Sequence, residues 1–318
     1  MIEQSLEHLK GLENENVLCA FSGGVDSLVA ASLVEPYLKD RLHCVFVDNG
    51  LLRPQDRHHI QTLQKETNLK IEIIEAQGYF LNRLKDISDP EEKRKIIGHC
   101  FIEVFDEAVK KLEEEKKIKF DYLLQGTLYP DVIESVSPHG NDGPSVTIKS
   151  HHNVGGLPEK MKLKLLEPLR FLFKDEVRAM GLQLKLNKDW VYRHPFPGPG
   201  IGVRVLGELG VISIQAVQQS DQILFEELKK QGLYHSTWQA FTVYLPVKTV
   251  GVKGDGRAYE SVICVRMVNS EDGMTAQWTK VPYEFLDIVS NRICNEVSGI
   301  TRVVYDITSK PPGTIEWE

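Results

Sequence analysis

Residues Ser22-Gly-Gly-Val-Asp-Ser27 place two hydroxyls, two glycines and one carboxylate within six positions. That set suits the phosphates of a nucleotide. Glycine lets backbone N–H groups approach phosphate oxygens with no Cβ in the way. Ser22 and Ser27 add hydroxyl donors, and Asp26 is a hard oxygen ligand of the kind magnesium takes. The flanking elements support the same chemistry. Asn16 to Phe21 reads as a buried strand and Leu28 to Leu38 as a helix. The loop therefore ends at a helix N-terminus, where free N–H groups and the dipole favour an anion. It is not a Walker loop, because no Lys follows the glycines, and it is not G-x-G-x-x-G. The plainer reading of Ser-Gly-Gly is a tight strand-to-helix turn.

Other elements must position this loop. Leu42 to Val47 reads as a second buried strand, Leu69 to Glu75 as a third and Asp121 to Gln125 as a fourth. Between them, Ile60 to Glu66 and Glu91 to Lys117 carry helical patterns, the latter with Ile97, Phe101, Val104, Phe105, Ala108 and Leu112 on one face. Strands alternating with helices imply a parallel sheet with right-handed crossovers. Ligands of such sheets sit at the carboxyl ends of the strands, so 22–27, 48–53 and 126–135 are the chemical loops. Residues 138–158 are rich in Gly, Pro, His, Ser and Asn and read as a lid-like loop. A helix follows over Pro168 to Gly181, and His194 to Val205 (HPFPGPGIGVRV) marks a domain boundary. Beyond it, Ser213 to Lys230 and Pro282 to Val297 read as helices. Phe241 to Val250, Ser261 to Val268 and Thr301 to Thr308 read as strands, giving a small α+β domain with an antiparallel sheet. The expected domains are 1–193 and 194–318.

Composition narrows the classes. A net charge of −7 over 318 residues argues against a broad nucleic-acid-binding surface. No apolar run has the length of a membrane span, and the N-terminal residues lack a signal-peptide apolar region. The five cysteines show no C-x-x-C pair, which gives no support to a zinc site and fits core thiols in a reducing cytoplasm.

The hexapeptide resembles the pyrophosphate loop of the ATP pyrophosphatases, whose fold is that of the adenine nucleotide α-hydrolases. The resemblance then extends along the chain. The blocks FSGGVDS, VDNGLLR, DPEEKRKIIG, QGTLYPDVIES, IKSHHNVGGLP, EPLRFLFKDEVR, RHPFPGPG, WQAFTVYLPVKTVGVKGDGR and TRVVYDITSKPPGTIEWE are similar to those of the GMP synthetase family. That resemblance implies a parallel-sheet ATP-pyrophosphatase domain followed by a dimerisation domain. It implies ATP and Mg2+ as co-reactants, XMP and ammonia as substrates, and AMP, PPi and GMP as products. Fused members of the family begin with a glutamine amidotransferase domain. Here the loop starts at Ser22, so the expectation is a synthetase subunit served by a separate glutaminase subunit.

The resemblance also assigns residues. Ser22, Gly23, Gly24, Val25, Asp26 and Ser27 match the pyrophosphate loop, with Asp26 a magnesium ligand. Val47, Gly126 and Thr127 match the adenine pocket, although core packing alone accounts for Val47. Asp131 and Glu134 share one face of a helical turn and are expected to bind magnesium or steer ammonia; acids at a helix start are the plainer reading. Lys149, in the lid-like loop, is expected to neutralise phosphoryl charge on closure. His151 and His152 are assigned no firm role. Arg94, Pro199, Gly200, Gln239, Lys310, Ile315 and Glu316 match the XMP site, with Lys310 on phosphate and Glu316 on ribose or base, and Arg302, near the family's dimer interface, is expected to reach the partner's XMP site. Lys93 and Lys95, beside Arg94, are expected to be solvated. A rival is another pyrophosphate-loop amidating or tRNA-thiolating enzyme, such as an NAD synthetase. A non-catalytic nucleotide sensor would be expected to lose Asp26, Lys149 or the Lys310–Glu316 block.

Overall fold

The computed structural model describes residues 2–6, 9, 11–135, 163–271 and 273–318. Two compact units emerge. One comprises residues 1–48, 58–76 and 98–193, and the other 49–57, 77–97 and 194–318.

In the first unit, β1 (Val17–Ala20), β2 (Leu42–Asp48), β3 (Ile71–Glu75), β4 (Tyr122–Leu124) and β5 (Lys164–Leu166) form one sheet. Its order is β3-β2-β1-β4-β5 and every pairing is parallel. All seven residues of β2 are buried, the signature of a strand covered on both faces. The chain runs outward from β1 through β2 to β3, then returns to place β4 on the other side of β1. That reversal is a topological switch point, and a ligand crevice belongs at the carboxyl ends of β1 and β4. Helix α2 (Val25–Leu38), the next helix after the short α1 (Ile2–Leu6), leaves the end of β1. Its Val25, Leu28, Val29, Ala30, Ala31, Leu33, Val34 and Leu38 are all buried, so it is apolar nearly all round. Helix α7 (Lys174–Gln183) packs beside it, with Gly181 admitting Val29 closely: a Cβ there would stand 3.1 Å from its Cγ2.

The remaining helices up to this point are α3 (Pro54–Glu66), α4 (Gln77–Arg83), α5 (Pro90–Lys116) and α6 (Tyr129–Ser135), with the single-turn α8 (Lys188–Val191) after α7. The four anticipated strands are present. β5 was not anticipated, and the helix expected over 168–181 begins at Lys174 instead. Residues Pro168–Phe173 form a turn stabilised by Leu172 N donating to Leu169 O at 2.9 Å.

In the second unit, β6 (Gln239–Lys253) and β7 (Gly256–Asn269) make a long antiparallel hairpin, and β8 (Gln277–Trp278) adds antiparallel to β7. The expected antiparallel sheet is present, and β9 (Ile300–Asp306) adds a parallel pairing on the side of β7 opposite β6. The reason is α10 (Tyr283–Glu296), a crossover helix that lets β9 re-enter in the direction of β7. Side chains on β7 alternate. Ile263, Val265 and Met267 face a core shared with Leu224 and Leu228 of α9 (Val211–Lys230) and Phe285, Val289 and Ile293 of α10. Cys264 points the other way, into a cluster with Phe241, Val243 and Ile315.

The five cysteines are free thiols. Burial pushes Cys264 up to about 12. A hydrogen bond with Cys44 on the neighbouring strand, with burial, holds Cys19 well above the usual thiol range. Among the described residues no three His, Cys, Asp or Glu side chains cluster as a metal site, and no helix is long and apolar enough to cross a membrane.

Candidate functional site

The loop after β1 is built as the sequence implies. Gly23 has φ +72°, a conformation open to glycine, and a Cβ there would meet Ile60 Cδ1 at 2.3 Å. Gly24 is the N-cap of α2 and lends it no side-chain cap. Within the loop, Gly24 N donates to Ser22 Oγ at 3.3 Å. Ser27 Oγ donates to Gly24 O at 3.1 Å and lies 3.1 Å from Ser22 Oγ. Ser22 and Gly24 are exposed, whereas Ser27 is buried. The hydroxyls and amides thus converge on an exposed helix N-terminus, an anion-binding arrangement.

Gly126, just past β4, touches this turn from the neighbouring strand. A Cβ on it would stand 2.8 Å from the backbone carbon of Asp26 and 2.9 Å from Ser27 N. Only glycine permits that approach, so Gly126 shapes the loop directly. Val47 is buried within β2, as simple core packing requires, and Thr127 is half-buried.

Two residues not expected from the sequence complete the loop's surroundings. Lys174 Nζ reaches both oxygens of Asp26, at 2.7 and 2.6 Å. Arg193 Nη1 donates to Gly23 O at 3.3 Å. A signal for Lys174 existed: a cation at the first position of a helix opposes the helix dipole, and such a placement calls for a partner elsewhere. Asp131 Oδ2 accepts from Leu128 N at 3.0 Å, capping the turn that starts α6. Glu134 is described only as part of α6, and Lys149, His151, His152 and the 138–158 loop lie outside the described residues.

In the second unit, two of the residues expected at the XMP site meet: Gln239 Nε2 donates to Glu316 Oε1 at 2.9 Å. Ile315 packs under the sheet against Phe241, Val243 and Cys264. Lys310 Nζ donates to Gly273 O at 2.7 Å. Arg302 is exposed on β9, and Arg94 pairs with Glu91 one turn back on α5. Gly200 has φ +63°, and a Cβ there would stand 2.3 Å from Leu51 O; Pro199 beside it is half-buried.

Three fully buried cations hold the 314–318 segment. Arg266 Nη2 donates to Thr314 O at 2.9 Å and Nη1 pairs with Asp306 at 3.2 Å. Arg204 binds Glu316 through Nη2 and Nε, at 3.0 and 3.2 Å. Lys93 Nζ pairs with Glu318 Oε2 at 2.5 Å and donates to Val205 O at 2.7 Å. Lys93 therefore departs from the solvated position expected of it: its side chain is wholly buried. The physical reason is its carboxylate partner, 225 residues away along the chain. Lys93→Met is expected to cost about 3–5 kcal/mol in chemical denaturation, because Glu318 is left as a buried unpaired charge. Lys93→Met with Glu318→Gln should recover part of that loss.

Residues 226–317 match the model of the GMP synthase C-terminal domain, and residues 16–127 match the phosphoadenosine phosphosulfate reductase domain. Across all 318 residues the chain is 56% identical to GMP synthase [glutamine-hydrolyzing] of Chlorobaculum tepidum. The chain is a relative of GMP synthase. It is also 57% identical over 307 residues to the Helicobacter pylori protein of that description, with 96% of the chain covered. The chain spans 60% of the C. tepidum protein and 59% of the H. pylori one. The 22–27 loop and the Gln239–Glu316 pair each fall within a matched region, whereas Lys174 and Arg204 lie outside both domain models.

Proposed function

We propose that the chain is the ATP-dependent synthetase of GMP formation. It would transfer AMP from ATP to the 2-oxo oxygen of XMP, releasing PPi, and then let ammonia displace AMP to give GMP. One observation carries this reading: a glycine- and serine-lined helix N-terminus at a switch point and a match to the GMP synthase C-terminal domain occur on the same chain. In the first step the XMP oxygen forms a bond to the α-phosphorus while the bond to the bridging oxygen of PPi breaks. In the second, ammonia attacks C2, and AMP departs with the C–O bonding pair as the nitrogen loses a proton.

The loop amides, Ser22 and Ser27 hold the triphosphate, and Lys174 offers a cation next to Asp26. Catalysis of this type is chiefly positioning and charge neutralisation. Asp26 suits magnesium, which is usually held by one or two carboxylates together with substrate phosphates. When bound, that ion would neutralise charge on the leaving PPi. Asp131 and Glu134 are assigned to the amination step, and Lys149 to the phosphates. Val47, Gly126 and Thr127 line the adenine. Arg94, Pro199, Gly200, Gln239, Arg302, Lys310, Ile315 and Glu316 contact XMP. Domains 1–193 and 194–318 then carry ATP and XMP respectively.

Ammonia comes from a glutaminase component on a separate subunit; the relatives that the chain matches are described as glutamine-hydrolyzing. The second unit is the homodimer surface. In its favour, Val250 and Tyr259 face each other across β6 and β7, and both are exposed along with Val252. The free thiols fit a cytoplasmic setting.

The purified chain with Mg-ATP, XMP and ammonium is expected to form AMP and GMP in equal amounts. Glutamine in place of ammonium should give GMP only when a glutaminase is added. Absence of both products at saturating ammonium would refute the reading.

A further inference from the structure

Arg204 is fully buried, yet it reaches a carboxylate that is 22% exposed. Nη2 and Nε engage Oε1 and Oε2 of Glu316 separately, a two-point contact that fixes the plane of the carboxylate as well as its position. The guanidinium is itself held on its other sides. Nη1 faces Asp221 Oδ2 at 3.5 Å, and the rings of Phe241 and Phe196 lie 4.2 and 5.1 Å from Cζ. Asp221 is fixed in turn, its Oδ1 accepting from Thr242 N at 2.6 Å and Thr242 Oγ1 at 2.8 Å. Arg53 stands 3.9 Å from the other oxygen.

Fold stability alone does not call for this arrangement. The buried charge of Arg204 already has a buried counter-charge in Asp221, so Glu316, 22% exposed, is not needed to neutralise it. What the fork adds is orientation. Arg204 and Gln239 Nε2 together occupy Oε1, and Arg204 takes one side of Oε2, so the remaining lone pair of Oε2 is held as a fixed acceptor. That geometry fits a single donor, such as one ribose hydroxyl.

We propose that Arg204 is a positioning residue that presents the Glu316 carboxylate to the purine nucleotide, with Asp221 and the two phenylalanine rings holding its guanidinium in register. This rests on the reading of Glu316 as an XMP contact.

The test is steady-state kinetics with ammonium on Arg204→Lys, Glu316→Gln and the double variant, each checked for folding by thermal melting. Lysine keeps the charge beside Asp221 but cannot make the fork. Arg204→Lys is expected to raise KM for XMP about ten- to hundredfold with KM for ATP unchanged. The double variant is expected to be no worse than Glu316→Gln alone, because the two residues act as one unit. If Glu316→Gln raises KM for XMP and a folded Arg204→Lys does not, the positioning role is wrong while the XMP reading stands. If Glu316→Gln itself leaves KM for XMP unchanged, the XMP reading of Glu316 fails first. Additive losses in the double variant would also overturn the proposal. Should Arg204→Lys not fold, Arg204→Gln with Asp221→Asn removes both buried charges together and is judged by the same KM comparison.

Discussion

Asp26→Asn is expected to lower AMP formation about 10³-fold, a loss typical of removing a preorganised charge from a phosphoryl-transfer site. Two effects combine. The variant loses the anionic oxygen that suits magnesium, and Lys174 loses the partner that both of its contacts, at 2.7 and 2.6 Å, depend on. The fold should scarcely register the change. The Asp26 and Lys174 side chains are 31% and 43% exposed, and a pair so open to water contributes at most about 1 kcal/mol. AMP release and thermal melting, measured on one preparation, separate the two quantities. A melting temperature that falls in step with activity would show the pair to be structural. Lys174→Met should reproduce the kinetic loss in weaker form, since asparagine removes the proposed magnesium ligand and methionine does not.

The second large effect is expected at Gly126. Gly126→Ala places a methyl group 2.8 Å from the Asp26 backbone carbon and 2.9 Å from Ser27 N. Both are backbone atoms at the start of α2, so no side chain can rotate away. Either β4 or the loop must shift by several tenths of an ångström. Overpacking of that kind costs about 1–3 kcal/mol of stability. The larger consequence is for chemistry. On the proposed function, a shift of that order in the loop amides is expected to lower kcat/KM for ATP about 10²-fold. XMP binding, measured by calorimetry without ATP, should be unchanged. Retention of normal ATP kinetics by a folded Gly126→Ala protein would mean that the close approach is incidental.

Much of the architecture was legible because periodicity reports burial. The run LHCVFV announced a strand covered on both faces, and β2 is buried throughout. The alternation along β7 likewise reflects its two different cores. What escaped depends on partners remote in sequence. β5 is only three residues long, too short to show a period, and it exists because β4 offers it an edge. The direction of β9 is set by the crossover through α10 rather than by its own residues. Lys93 sits in the acidic and basic start of α5, where local composition indicates solvent, and its burial follows from Glu318. Lys174 and Arg204 escaped for the same reason: each is defined by a carboxylate far along the chain. The strand-to-helix turn that the loop glycines and serines form was legible because its geometry is local.

The interleaving of the two units bears on how such a protein can be inherited or divided. The second unit is not one stretch of gene, since residues 49–57 and 77–97 belong to it together with 194–318. A fragment cut at residue 194 would carry Asp221 without Arg53 and Glu318 without Lys93. Glu318, whose side chain is 8% exposed, would lose its lysine, whereas Asp221 would keep Arg204. Exchange of the C-terminal half between relatives therefore has to carry changes in two upstream segments as well. The second unit is thus assembled from three separated stretches of sequence, which have to change together.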